Sequence, residues 1–369
     1  MIVLASHAYL VDDQVFDVLF ERTLELLIKK NHSFVFVRNY IYGERRSEVL
    51  TYKNGVLVET ATLATMTGNL PLAYFSQVLV LLKVLSKYRA GARFIAANPL
   101  NAFSGILFKI FSPSSKVVFY NTDYSDRRFD SWILNFFFRF IERVCVMFSD
   151  YIWCVSSRIF DKRLSQGVPA DRLVFVPNVP DIQVEISAKK KLNHVLITSG
   201  ILSDQQDYFG LFDAVKVLKV KYPSILLKIY GNGDKEEMYK NYVKSLELEE
   251  TVLFHDFIPH KEYLLAAMGA GIGIALYNGS WGFNYYGDST KCREFFAFGV
   301  PVITTDTHST VKEIVDYECG VVCDVNSTQY VEAYDEIMSR YEYYSSNCLR
   351  LAKTHENILG KSILSFISE

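Results

Sequence analysis

The residue types best suited to chemistry gather at positions 287–306, in the stretch GDSTKCREFFAFGVPVITTD. Asp288, Ser289 and Thr290 are helix N-cap types, and they stand directly before a helical apolar pattern supplied by Phe295, Phe296 and Phe298. Gly299 stops that helix and Pro301 follows it. Residues 300–305 are then β-branched and nearly uninterrupted, as in a strand buried on both faces. A helix start holds unpaired backbone N–H groups and the positive end of a dipole. The spacing therefore predicts an anion site suited to a diphosphate, approached over the polar loop at Gly287. Lys291 adds a cation there, and Glu294, in about the first turn, would accept hydrogen bonds from ribose hydroxyls. The expectation is a nucleotide-sugar site.

Other stretches could line such a site. Gly231 and Gly233 follow the apolar run 225–230, and glycines after a parallel strand let backbone N–H groups approach a ligand closely. A plain strand-to-helix turn is the competing reading. Gly200 ends the run 195–199 in the same way. In the first half, Asp123 follows the apolar run 117–120 and would orient a hydroxyl, or merely brace its loop. His7, after the first strand, is a weaker candidate, and His260 reads as a surface cap residue. No pair of acids follows a strand in the manner of a metal site, and the six cysteines show no CxxC or zinc spacing, so neither metal nor cofactor is expected.

The elements that must position these residues alternate between strand and helix throughout. Runs at 2–5, 34–37, 94–97, 117–120, 151–155 and 173–176 are separated by helical patterns, including one over 15–30 and one around 103–111. A second series runs through 195–199, 226–230, 252–254, 272–275, 302–305 and 320–323. This predicts an α/β protein with two Rossmann-like doubly wound sheets facing a cleft. The segment 177–181, with two prolines, sets the expected boundary, giving domains 1–180 and 181–369. Residues 51–60 read as an inserted hairpin turning at Asn54-Gly55, and the last helical pattern, about 328–369, as broken near 345–347.

Composition narrows the class. Half of the 369 residues are hydrophobic and 15% aromatic, which suits large cores and excludes disorder. The net charge of −2 conceals an asymmetry: residues 1–180 carry 21 Lys and Arg against 15 Asp and Glu, and residues 181–369 carry 18 against 26. The basic half predicts an anionic partner, either a membrane surface or a phosphorylated acceptor, with chance scatter as the alternative. Arg127, Arg128, Arg139 and Arg143 flank Phe136-Phe137-Phe138, and Lys83, Lys87, Arg89 and Arg93 flank a second apolar run, patterns that fit peripheral membrane contact or simple core packing. Nothing resembles a nucleic-acid module. The N-terminus lacks a basic leader and no apolar run spans a bilayer, so a cytoplasmic location, peripheral on the inner membrane face, is expected, with the cysteines as buried thiols.

The chain, most strongly over residues 195–322, resembles the GT-B glycosyltransferases, specifically retaining family 4. That family writes a Glu, seven residues, a second Glu, a small-residue helix turn, Gly, Pro, and an apolar strand ending in Asp. The second Glu falls on Glu294, the Gly-x-Pro on Gly299 and Pro301, the closing Asp on Asp306, and the first Glu on Tyr286. Asp288 is the nearest acid and would take its place. The Gly-Asp-x-x-Lys version of the loop fits Gly287, Asp288 and Lys291. The resemblance implies that backbone around Phe257 and Ile258 reads the base, that Gly200, Gly231 and Gly233 line the nucleotide pocket, and that Asp123 and Asp288 serve catalysis. It also implies that the final helix crosses back to the first domain. Members carry an Arg after the Gly200 position and a Lys beyond it; here Ile201 and Leu202 follow, with no base up to Asp207. The implied activity is transfer from a nucleoside diphosphate sugar to a glycan or lipid-linked glycan hydroxyl. A degenerate nucleotide-sugar-binding subunit and a sugar-nucleotide epimerase are the alternatives.

Overall fold

The computed structural model describes residues 1–11, 14–16, 18–40, 46–65, 70–88, 91–180, 194–279 and 282–369. Arg89 and Asp181 lie outside them. The chain divides into two compact units, Met1–Asn178 with Asn357–Glu369, and Val179–Glu356. The last thirteen residues thus count with the first unit, and the division falls two residues before the position that the prolines suggest.

In the first unit the strands are β1 (Ile2–Val11), β2 (Gln14–Phe16), β3 (Phe34–Tyr40), β4 (Arg46–Lys53), β5 (Val56–Ala64), β6 (Arg93–Ala97), β7 (Lys116–Asn121), β8 (Tyr151–Cys154) and β9 (Leu173–Phe175). They form one sheet in the order β5-β4-β3-β1-β6-β7-β8-β9, with β2 antiparallel on β1. Asn54 and Gly55 both take positive φ, the I′ geometry whose twist matches a hairpin, and they join β4 to β5. The helical pattern over 15–30 yields at its start: Gln14–Phe16 pairs with β1, and the helix runs Val18–Lys29. The pairing satisfies that backbone, and Val15 and Phe16 favour extended chain.

Crossover direction decides which face each helix covers. From β1 the chain steps one way to β3 and the other way through β6, β7 and β8. Right-handed crossovers then put the helix Val18–Lys29 on one face. The helices Leu70–Leu85, Pro99–Phe111 and Trp132–Phe148 go on the other, packed in that order. The first face is also covered by the C-terminal segment, where the Phe366 ring meets Trp153 and Tyr151.

The second unit holds six parallel strands, β10 (Val195–Ser199), β11 (Leu226–Tyr230), β12 (Val252–His255), β13 (Ile272–Ala275), β14 (Val302–Thr305) and β15 (Gly320–Cys323). Their order is β12-β11-β10-β13-β14-β15, so the direction of winding reverses between β10 and β13. Loops leaving the carboxyl ends of those two strands diverge there, which opens a crevice of the kind that binds ligands in such sheets. Successive residues feed opposite faces. Leu196 joins a core with Phe212, Ile229 and Tyr334, and Ile197 joins another with Phe295, Phe296 and Leu351. Each fully buried phenylalanine contributes about 1.5–3 kcal/mol.

The C-terminal helical pattern breaks at Arg340, between Ser327–Ser339 and Tyr341–Ser368, rather than at 345–347. Ser345 and Asn347 stay helical because their side chains bond outward, to the Gly299 and Glu318 carbonyls at 2.6 and 3.1 Å. All six cysteines are buried thiols, as expected. No helix among the described residues is long and apolar enough to cross a membrane.

Packing of β13 on the Phe295 ring leaves no room for a side chain at Gly273, where an added Cβ would overlap the ring itself. Gly273→Ala is expected to cost about 1–3 kcal/mol through overpacking, read as a lower urea midpoint. An unchanged midpoint would mean that Phe295 can move aside freely.

Candidate functional site

The helix Thr290–Ala297 leaves the loop that follows β13, as its cap residues predict. Ser289 is the N-cap: its Oγ accepts from Cys292 N, and its own N–H donates to Thr310 Oγ1 at 2.9 Å. The Ser289 hydroxyl also lies 2.9 Å from the Tyr277 hydroxyl. Lys291 and Glu294 are three apart and share one face of the helix. Arg293 is about 200° round from Lys291 and faces the other way. One short helix therefore sends its functional groups to two different places.

On the first face, Lys291 Nζ donates to Gln206 Oε1 at 3.0 Å and to Thr198 Oγ1 at 3.4 Å. It stands 5.4 Å above the Tyr277 ring, a cation–π distance. Burial strips water from the ammonium and lowers its pKa to about 8. A Cβ built on Gly200 would come within 3.9 Å of Nζ, so Lys291 carries a cation to the end of β10. The β10 loop has no base of its own. Glu294, on the same face, accepts from His260 Nε2 at 2.8 Å through Oε1, and its Oε2 takes no hydrogen bond among the described residues. His260 is thus more than the cap residue that its sequence position suggests.

On the other face is a buried ionic node. Arg293 donates from Nε and Nη2 to Asp288 Oδ1, at 3.0 and 2.6 Å, and from Nη2 to Glu313. The Asp288 side chain is 1% exposed and accepts a further bond from Thr310 Oγ1 at 3.0 Å. Neutral His355 completes the node, donating from Nε2 to Glu313 Oε1 at 2.6 Å and accepting at Nδ1 from Arg293 Nη1 at 3.1 Å. Burial and the neighbouring guanidinium both lower the His355 pKa, which keeps the ring neutral. Burial pushes the Glu313 carboxyl up, but the Arg293 charge and bonds from His355 and Arg293 outweigh it and hold it at about 2. This corrects the catalytic expectation for Asp288. With its oxygens spent on Arg293 and Thr310, it fixes the loop rather than meeting a reactant.

The remaining candidates distribute as follows. Gly287 N–H donates to the Asn284 carbonyl at 3.0 Å, and the Gly287 carbonyl accepts from Ser309 N at 3.0 Å. Tyr286 ends the helix Gly282–Tyr286 with its ring 5.0 Å from that of Tyr285. Thr290 is the first helical residue. Gly200 and Gly231 take φ of +131° and +130°, which only glycine adopts easily. Side chains at Gly231 and Gly233 would overlap backbone at Gly200 and Leu202, so these glycines let the β10 and β11 loops pack backbone to backbone. The bond from Leu202 N to the Asn232 carbonyl, 2.9 Å, seals that contact. Phe257 is 56% exposed, and Ile258 packs on the core layer of Phe295. In the first unit, Asp123 forms a half-exposed ion pair with Arg128 at 2.7 Å. His7 lies 3.5 Å from Asn98 Nδ2, and burial lowers its pKa to about 4.

Sequence reasoning missed Gln206, Thr198 and Tyr277, which surround Lys291, and the pairing of His260 with Glu294. The one available signal was that these residues stand at or beyond strand ends. Among the described residues no group of three or more His, Cys, Asp and Glu gathers as a metal site.

Residues 181–347 match the family described as Glycosyl transferases group 1. A protein of Haemophilus influenzae described as an uncharacterized glycosyltransferase is 25% identical over 187 residues, 47% of this chain and 48% of its own length. The UDP-glycosyltransferase TURAN of Arabidopsis thaliana is 27% identical over 128 residues, 34% of this chain and 26% of its own. The chain thus spans about half, or less, of the curated relatives it matches. Among solved structures, Anabaena Alr3699/HepE in complex with UDP shares the fold, with a TM-score of 0.70 over 100% of this chain and 99% of that one, at 12% identity.

Removing the central cation should expose what the node contributes. Arg293→Met would leave the carboxylates of Asp288 and Glu313 without their cation and is expected to cost about 3–5 kcal/mol, measured by chemical denaturation. Glu313 titrates near 2 when folded and at the ordinary carboxylate value when unfolded, so its contribution is complete above that ordinary value and is lost as pH falls toward 2. Glu313→Gln should accordingly flatten the acid limb of the melting-temperature profile.

Proposed function

We propose that this chain, which carries a glycosyl transferases group 1 domain of GT-B type at residues 181–347, transfers a hexose-like sugar from a nucleoside diphosphate donor to a hydroxyl of a glycan or lipid-linked glycan. One observation carries the reading: Lys291 and Glu294 stand three residues apart on one face at the start of a capped helix, beside the switch point between β10 and β13. The free N–H groups of that helix start and the Lys291 ammonium suit a diphosphate. The Glu294 carboxylate, held by His260, suits the vicinal hydroxyls of a ribose.

The donor is read as a UDP-sugar, because UDP is the nucleotide named for the Anabaena structure and for the Arabidopsis relative. The reaction breaks the bond from the anomeric carbon to the β-phosphate oxygen and forms one to the acceptor oxygen, on the same face of the sugar. The acceptor proton passes to the leaving phosphate, so no protein nucleophile is needed. Lys291 and the helix start offset the charge on the leaving diphosphate, so the reading needs no divalent cation. Asp123 in the first unit would orient the acceptor hydroxyl, at the cost of its pair with Arg128. Asn284 Nδ2 and His255 Nε2, buried without a hydrogen-bond partner among the described residues, are donors that a polar ligand could satisfy.

Thermal-shift titration with UDP-, GDP-, ADP- and dTDP-sugars, without added metal, tests the reading, since a ligand that binds only the native state raises the melting temperature. A selective shift with UDP-sugars, lost in Glu294→Ala, is the expected result. Binding without transfer to any acceptor would instead identify a degenerate subunit, and sugar isomerisation without acceptor would identify an epimerase. Affinity should also fall as pH rises through about 8, where Lys291 loses its charge in the free protein. Lys291→Met should bind more weakly and lose that pH dependence. An identical pH profile in the variant would remove Lys291 from the diphosphate site.

A further inference from the structure

The helix Trp132–Phe148 is amphipathic in the reverse sense. Its buried residues are Glu142 and Cys145, with Glu142 paired to the buried Arg163 at 2.6 Å. Its solvent side is aromatic: Trp132 is 76% exposed, and Phe136, Phe137 and Phe140 are each more than half exposed. A buried ion pair thus stands on the face that meets the fold, while the largest aromatic side chains are left to water. The helix Pro99–Phe111, packed beside it, ends in Ile110 and Phe111, 68% and 79% exposed. The next helix, Leu70–Leu85, exposes Phe75 and Leu79. The three helices share one face of the sheet.

Charge identifies what would cover it. The three helices contain a single carboxylate, Glu142, and it is buried. Arg139 and Arg143 are exposed among the aromatics, and among the described residues neither has a hydrogen-bond or ion-pair partner. With Arg127, Trp132, Phe136 and Phe140 they line a cavity of about 520 Å³, whose one acid is Asp130. A second copy docking face to face would set these arginines against their own kind, since a twofold interface meets the same patch on its partner. A bilayer with anionic headgroups has the matching chemistry throughout. Aromatic rings enter the headgroup boundary, Trp prefers that depth, and long arginine side chains reach outward to phosphates.

The geometry points to this three-helix face of the first unit as a docking surface for an anionic lipid bilayer, with the aromatic stripe of Trp132–Phe148 inserted and Arg139 and Arg143 on lipid phosphates. The inference does not depend on the transferase reading, although docking would bring a lipid-linked acceptor within reach. Two measurements on the full chain test it. In flotation with phosphatidylcholine vesicles, with and without phosphatidylglycerol, binding should require the anionic lipid and weaken in high salt. It should fall roughly tenfold or more in Arg139→Gln/Arg143→Gln and likewise in Phe136→Ser/Phe137→Ser. Trp132 fluorescence of the unsubstituted protein should shift to the blue on anionic vesicles and be quenched by brominated lipid, with Trp132→Phe removing the response. That readout does not rely on any variant folding at the patch. No binding to anionic vesicles, or binding indifferent to all these substitutions, would overturn the inference. So would a dimer, dissociated by the same substitutions, that ignores vesicles. A lost UDP-sugar shift with intact vesicle binding would overturn the donor reading alone.

Discussion

One buried positive charge organises the second unit. Arg293 sits in the interior with Asp288, Glu313 and His355 around it, drawn from the loop before its helix, from the helix Val311–Tyr317 and from the final helix. Burying a guanidinium costs several kcal/mol unless its donors are met. Meeting them here ties four segments to one atom cluster. The loop 287–289 is held by Asp288 on Arg293 and by the Ser289 N–H on Thr310. That fixed loop determines where the helix start points.

The rest of the site follows from the rotation of that helix. With Arg293 directed inward to the node, Lys291 and Glu294 must leave from the opposite side, towards the ends of β10 and β12. There Gln206, Thr198 and Tyr277 hold the ammonium, and His260 holds the carboxylate. The partial burial that lowers the Lys291 pKa also strengthens its field on any anion placed beside it, because there is less water to screen it. The β10 loop has no cation of its own, and the helix places one next to Gly200. Arg293 is two residues from Lys291 and one from Glu294 in the chain, yet its partners are separate from theirs.

The first unit solves a similar problem with a different outcome. Arg163 is buried against Glu142 and Asn121, so the helix Trp132–Phe148 turns a charge, beside Cys145, towards the fold. Its aromatics are therefore free to serve an outside surface. On the other sheet face the C-terminal segment packs at β8, where Phe366 is buried against Trp153.

The sequence alone determined whatever is written within a short window. Strand and helix alternation, the hairpin at Asn54-Gly55, the cap at Ser289, the stop at Gly299 and the common face of Lys291 and Glu294 all rest on local propensity and on fixed periods of 2 and 3.6. The sequence pattern went astray where a distant partner overrode such preferences. Residues 14–16 joined β1 instead of a helix, and Ser345 and Asn347 stayed helical by bonding carbonyls 46 and 29 residues away. Only the tertiary structure decided that Asp288 braces Arg293, that His260 meets Glu294 from 34 residues away, and that Lys291 meets Gln206 from 85. Those pairings depend on which strands become neighbours and on how far each loop turns, and no local preference encodes either. Roles that need one element were legible in the sequence; roles that need two elements to meet emerged only once the sheet order was set.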